Sequence, residues 1–259
     1  MKDPSAANWY GLWTLYLREV RRFTKVYTQT ILGPMATALL FLAIFALALG
    51  RAVQTIGGVP FMEFLAPGLI MMAVAQNAFA NTSSSLFIAK VQGNIVDTLM
   101  PPLSADELTM GIAMAGVTRG VVIAATVAVA MAPFVPLNLH HAGYVLYHAL
   151  AGALMLSLLG TMTGIWAEKF DQLGLVTNFL VTPLAFLSGT FYSIERLPAT
   201  FQAIAQANPF FYMIDGFRYG MTGHADGSLA TGVAVLAGVN VALWLVCHWM
   251  FASGYRLKV

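Results

Sequence analysis

Long apolar runs, separated by short polar stretches, dominate the chain. A helix that crosses the hydrocarbon core of a bilayer needs about 20 mostly apolar residues. Six stretches reach that length: 31–50, 64–88, 108–134, 143–167, 173–191 and 229–253. The first carries no charge. The second is less pure, with Gln76, Asn77, Asn81 and the run Thr82, Ser83, Ser84 and Ser85 in its second half, and Arg119 interrupts the third. Apolar residues lie all round these stretches rather than along one stripe, as expected of helices that face lipid. The pattern predicts an all-α, polytopic membrane protein with six transmembrane helices.

Three further segments are patterned but do not span. In 8–28, Trp9, Leu12, Trp13, Tyr16, Leu17, Val20, Phe23 and Tyr27 recur every three or four residues, with Arg18, Arg21, Arg22 and Lys25 largely between them. This is a basic amphipathic helix with aromatic anchors, suited to the membrane surface. One reading is an anchor that holds topology through anionic headgroups. Gly33-Pro34 marks its turn into the first span. In 92–100, Ile95, Val96, Leu99 and Met100 alternate with polar residues, which predicts a short amphipathic helix stopped by Pro101-Pro102. It is either an ordered connection or a docking surface. Ser104 to Glu107 then reads as a capping box opening span three. In 198–222, two short apolar helices are predicted, from Pro198 to Gln206 and from Pro209 to Thr222. Neither is long enough to cross, so re-entrant or interfacial helices packed on protein are expected.

Composition removes most other classes. The 259 residues are 59% hydrophobic and 9% charged, against about 25% charged in a soluble domain. There are too few charges to cover a water-facing surface. A net charge of +2 without a basic stripe gives no reason to expect nucleic acid. Lys and Arg are distributed unevenly. With the N-terminus inside, the inner segments hold nine (Lys2, Arg18, Arg21, Arg22, Lys25, Lys90, Lys169, Arg256, Lys258) and the outer ones three (Arg51, Arg196, Arg218). That bias predicts both termini on the cytoplasmic side. The single Cys247 excludes a disulfide framework and a Cys-based metal site. No cleavable signal pattern occupies the first 30 residues, and one membrane domain accounts for 1–259.

Catalytic motifs are missing. There is no P-loop, no His-Glu-x-x-His and no Gly-x-Ser-x-Gly, so no catalytic, cofactor-binding or metal-ligating residue is expected. His140 and His141 read as a solvated loop pair. His148 and His248 lie within spans and can face the bundle. A charge at mid-bilayer costs at least about 2.5–3.5 kcal/mol, which makes Arg119 a candidate: a structural arginine bonded to a polar partner, or a pathway residue. Gln76, Asn77 and Asn81 carry the same two readings. A secondary transporter or channel would favour carboxylates at mid-membrane. An intramembrane enzyme would favour paired carboxylates or a nucleophile beside a base. All eleven carboxylates fall in loops or at span ends.

The stretch Leu187-Ser-Gly-Thr-Phe-Tyr-Ser-Ile-Glu-Arg-Leu-Pro198, with Ala207-Asn-Pro-Phe-Phe-Tyr-Met-Ile-Asp-Gly-Phe-Arg-Tyr-Gly220, resembles the signature region of ABC-2-type transporter permeases. Val91-Gln-Gly-Asn-Ile-Val-Asp-Thr-Leu99, with Pro102-Leu-Ser104, is similar to the loop between that family's second and third spans. The resemblance covers essentially the whole chain. It implies a homodimer, each copy paired with a separate cytosolic nucleotide-binding ATPase subunit that binds ATP and Mg. It implies export of a lipid, a glycan or polysaccharide, or a hydrophobic drug across a bacterial inner membrane. The 8–28 helix becomes the interface helix and 92–100 the coupling helix. Arg18, Arg21, Gln92, Gly93, Asn94 and Asp97 are then the expected ATPase-docking residues. Glu195, Pro198, Asn208, Pro209, Asp215 and Arg218 mark the outer re-entrant motif. The path is expected between the two copies, lined by spans one, two and five.

Overall fold

The computed structural model describes residues 8–50 and 52–257. Lys2, Arg51 and Lys258 of the charge count lie outside them. Among the described residues, six helical segments are long and apolar enough to cross a membrane: Thr28–Leu49, Phe61–Val91, Ala105–Met131, Ala142–Trp166, Phe170–Leu187 and Leu229–Ser253. The chain is an all-α, polytopic membrane protein. In order it runs α1 (Trp9–Thr24), a π turn (Thr28–Leu32), α2 (Gly33–Leu49), a small β-hairpin of β1 (Thr55–Ile56) and β2 (Val59–Pro60), α3 (Phe61–Val91), α4 (Ile95–Leu99) and α5 (Ala105–Met131). Then come α6 (Ala142–Trp166), α7 (Phe170–Val176), a second π turn (Thr177–Val181), α8 (Thr182–Leu187), a 3-10 turn (Ile194–Arg196), α9 (Ala199–Ala207), α10 (Pro209–Thr222) and α11 (Leu229–Ser253).

Helix α3 is the centre of the molecule. An 18-residue stretch of it is 83% buried, against 11% for span one and 17% each for spans five and six. It packs along α6, α5 and α10. Its all-round apolar face therefore meets protein, not the lipid that the pattern suggested. A helix apolar on every side is compatible with either environment. Small residues let the neighbours approach closely. A Cβ at Gly160 would lie 2.4 Å from the Phe79 carbonyl oxygen and 2.2 Å from Thr82 Oγ1, and one at Gly164 2.8 Å from the Ser83 carbonyl oxygen. Thr82 Oγ1 donates to the Ser157 carbonyl at 2.7 Å across the same contact.

Two boundaries depart from the sequence reading. The break after the amphipathic helix falls at Lys25–Val26, not at Gly33-Pro34, where Gly33 is helical at φ −61 and ψ −57. Proline lacks an N–H and crowds the carbonyl four residues back. The π turn Thr28–Leu32 just before Pro34 relieves this without a turn in the chain. Span five repeats the device, with Thr177–Val181 just before Pro183. Span five also stops at Leu187 rather than 191. Gly189 takes φ +71, a common way to end a helix, and Thr190 Oγ1 donates to the Ala185 carbonyl at 2.6 Å.

Helix α1 does not lie flat. Its start pairs with the capping box of α5, where Asn8 N donates to Glu107. Leu15 packs on Gly111, and Tyr16 Oη shares a 2.9 Å hydrogen bond with Thr118 Oγ1. The contact thus climbs eleven residues of α5, about 16 Å at 1.5 Å per residue.

The close α3–α6 approach gives a direct prediction. Gly160→Ala drives a methyl into backbone and should cost about 1–3 kcal/mol of stability, read as a lower melting temperature of the purified protein. Gly238→Ala, with nothing within 4 Å of its Cβ, should leave it unchanged.

Candidate functional site

The end of the bundle expected on the cytoplasmic side carries a cleft of about 880 Å³ between α1, the end of α3 and α4. Five of the six expected docking residues, Arg18, Arg21, Gln92, Asn94 and Asp97, line it. The sixth, Gly93, makes the turn that separates α3 from α4. Its φ is +74, and nothing lies within 4 Å of its Cβ position, so glycine is needed there for conformation rather than space. The helix of this loop is Ile95–Leu99 alone, shorter than 92–100, because Gln92 to Asn94 form that turn. Ile95 and Thr98 are buried, whereas Met100 is 77% exposed.

A polar network ties the cleft walls together. The Glu19 carboxylate, buried in the apolar face of α1, accepts from Arg18 at 3.0 Å, Arg22 at 3.2 Å and Ser85 Oγ at 2.5 Å. Arg18 also donates to Thr98 Oγ1 of α4 at 3.0 Å. Arg22 donates to Asn81 Oδ1 at 3.1 Å and reaches the Asn81 carbonyl. One carboxylate thus joins α1, α3 and α4. A buried charge is tolerable only when paired and hydrogen-bonded, which these partners achieve. The sequence reading missed Glu19 and Arg22 as network residues. A signal was present: Leu15, Glu19 and Phe23 share one face of α1, so an acidic residue interrupts an apolar stripe.

The intramembrane polar set divides. Arg119 Nη2 donates to Asn77 Oδ1 at 2.9 Å, and Asn77 Nδ2 returns to the Ala73 carbonyl at 2.9 Å. Asn81 belongs to the Arg22 network. Gln76 is half-buried and outside both.

At the opposite end of the bundle, α10 is buried against α6, α11 and α3, with Phe211, Met213 and Ile214 fully covered. Asn208 caps it, accepting from Phe210 N at 3.1 Å, and its Nδ2 donates to Ser188 Oγ at 2.8 Å. Pro209 occupies the first turn. Arg218 is fully buried. Its Nε donates to the Phe64 carbonyl at 3.2 Å and its Nη2 to the Gly189 carbonyl at 2.6 Å, with the guanidinium 3.8 Å above the Phe64 ring. Asp215 accepts from the backbone N–H of Asp226 at 2.8 Å and of Gly227 at 3.0 Å. Burial pushes the Asp215 carboxyl above the usual carboxylate range, and the Asp226 N–H and Arg218 oppose it. Asp226 in turn accepts from Ser193 Oγ and Ile194 N, both at 2.9 Å, and pairs with His224. Asn208, Pro209, Asp215 and Arg218 therefore form one assembly. Glu195 and Pro198 remain exposed on the connection. Of the two histidines assigned to spans, His148 is buried beside Gly216. His248 does not face the bundle: it pairs with Asp106 at 2.8 Å, with 43% of its side chain exposed.

Six spans, a charged cleft at one end and a buried short helix, α10, at the other define a polytopic membrane protein. The chain belongs to the ABC-2 type transporter family, whose sequence profile matches residues 10–222. It is 37% identical over 250 residues to the inner membrane transport permease YadH of Escherichia coli (strain K12), covering 96% of this chain and 98% of that protein. It is 28% identical over 222 residues to nodulation protein J of Rhizobium leguminosarum bv. trifolii, covering 84% and 82%. With the nodulation protein J of Neorhizobium galegae it shares 22% over 218 residues.

The outer assembly yields a second prediction. Asp215→Ala leaves the part-buried backbone N–H groups of Asp226 and Gly227 without an acceptor, at about 1–2 kcal/mol each. Chemical unfolding of the purified protein should show a loss of roughly 2–4 kcal/mol. Asp215→Asn keeps one acceptor and should lose about half of that.

Proposed function

We propose that the chain is the permease half of an ATP-binding-cassette exporter in a bacterial inner membrane. It works as a homodimer, with both termini in the cytoplasm. A separate ATPase subunit binds ATP and Mg and docks on the inner cleft. The substrate class is a lipid, a glycan or polysaccharide, or a hydrophobic drug, moved outward. Family membership supports the transport role, and the similarity to an inner membrane transport permease of Escherichia coli supports the location.

The observation that carries the reading is the cleft of Arg18, Arg21, Gln92, Asn94 and Asp97, joined through Glu19 and Ser85 to the central helix. Closure of the ATPase subunits presses on α4 and α1. Glu19 bonds both α1 and α3, so a push on the surface helices becomes a displacement of α3 rather than a local deformation. Spans one and five, the least covered by the rest of the chain together with span six, are the walls that move against the second copy. They line the path, and α3, which the sequence placed beside them in that lining, is enclosed behind them. A channel or secondary transporter would leave this cleft without a role.

The test is co-purification of the permease with the ATPase encoded beside it, followed by nucleotide-dependent transport in vesicles. Asp97→Lys should cut co-purification and transport at least about tenfold while membrane insertion is unchanged, the loss expected when a like charge replaces a docking partner. Glu19→Gln should retain docking yet reduce transport. Wild-type permease that transports without any ATPase bound would overturn the proposal.

A further inference from the structure

Arg119 has more donors than the protein has acceptors for it. Only Nη2 is bonded, to Asn77. Nε is buried without a partner, and Nη1 has none either and is not enclosed. Among the described residues no carboxylate lies within 4.0 Å of the guanidinium. Asn77 and Asn81 are one turn apart on α3, about 6 Å, and Asn81 is where Arg22 binds. Two guanidinium groups therefore sit on successive turns of one helix. The one carboxylate of the network, Glu19, is already shared by Arg18 and Arg22. Asn81 Nδ2 is a further buried donor without an acceptor. The surplus at this level is entirely of donors and of positive charge.

The level itself is informative. Span one is free of charge from Thr28 onward, directly after Arg21, Arg22 and Lys25. That places the inner edge of the hydrocarbon near the end of α1, with Arg119 about one turn deeper, within reach of the headgroup layer by snorkelling. Further out along span three, Thr126 and Ala130 stand seven and eleven residues from Arg119, on the same helix face. They line an apolar crevice of about 320 Å³ between spans one and three, completed by Ile31, Met35, Ala125 and Val129. Cations at the inner boundary lie below an apolar slot that opens toward lipid.

We propose that this is a binding site for one phosphate-bearing anionic lipid of the inner leaflet. The phosphate accepts from Arg119, with Arg22 adding positive potential from the next turn of α3, and an acyl chain lies in the crevice. The bound lipid fixes spans one and three to each other at the level where α1 meets α3. The site does not depend on the transport reading, because the purified chain alone forms it.

The experiment is native mass spectrometry of the full chain in detergent, titrated with dioleoyl-phosphatidylglycerol, with dioleoyl-phosphatidylcholine and with inorganic phosphate. One phosphatidylglycerol per chain should bind about tenfold tighter than phosphatidylcholine, as expected of a charge-assisted contact, and inorganic phosphate should not displace it. Arg119→Gln should abolish the preference and Arg119→Lys should keep most of it. Arg119→Gln also removes the bond to Asn77, so Met35→Trp, which fills the crevice away from the polar network, is measured beside it. That variant should weaken phosphatidylglycerol several-fold at unchanged melting temperature. Equal binding of the two lipids, a preference that survives Arg119→Gln, or Met35→Trp without effect would each overturn the proposal. Displacement by inorganic phosphate would reduce the site to one for a free anion.

Discussion

A helix of 31 residues is longer than a bilayer is thick. At 1.5 Å per residue α3 measures about 46 Å, against a hydrocarbon core of about 30 Å. Roughly 16 Å of it must therefore leave the apolar slab, and the rest of the inner architecture depends on that excess. The emerging end carries Asn81, Ser84 and Ser85, which Arg22 and Glu19 of α1 bind, and Lys90, which donates to the Ile165 and Ala167 carbonyls. A shorter α3 would end among headgroups and leave Glu19 and Arg22 of α1 without their partners. The polar residues from Asn81 onward, which look like a defect in a spanning segment, are the part that needs no membrane.

The outer end is governed by a different constraint. Helix α10 is too short to cross, so its termini would expose backbone groups to lipid. Asn208 caps its start and Gly223, at φ +77, ends it. Arg218 then donates to the Phe64 carbonyl of α3 and to the Gly189 carbonyl of the connection after span five, tying α10 to both. Asp215 and Asp226 do the converse for orphaned N–H groups. The outer helices are held by a barter between loop carbonyls and a guanidinium on one side, and loop amides and carboxylates on the other.

Much of this was legible in the chain. The six spans followed from apolar length alone, and Pro209 to Thr222 coincided with the observed helix because its punctuation, Asn-Pro before and Gly after, is local. The capping box at Ser104 and Glu107 forms for the same reason. What local pattern could not supply is who faces whom. The pattern did not distinguish α3, enclosed by protein, from span one, nearly bare, because both are apolar on every side. Nor could it place Gly33-Pro34 inside a helix, since a π turn has no residue signature comparable to a cap. The expected docking residues came from two segments more than 60 residues apart. Their meeting in one cleft depends on Glu19, whose significance rests on its position within a stripe rather than on any motif. Glu195 and Pro198 share the signature stretch with Asn208 and Arg218, yet proximity in sequence did not bring them into the buried assembly.

The two π turns carry a geometric consequence of their own. Each amounts to a single extra residue within an otherwise α-helical span, and one residue is 100° of rotation at 3.6 residues per turn. In span five the segments on either side of the turn, and in span one α2 and the chain that leads into it, are therefore out of phase with each other: a stripe that begins on one side of the helix continues on another beyond the turn. A small migration of the extra residue along the span would rotate one half against the other while both ends stayed fixed. In the two spans that this chain leaves most open together with the sixth, that is a way to change which residues face inward without sliding a helix through the membrane.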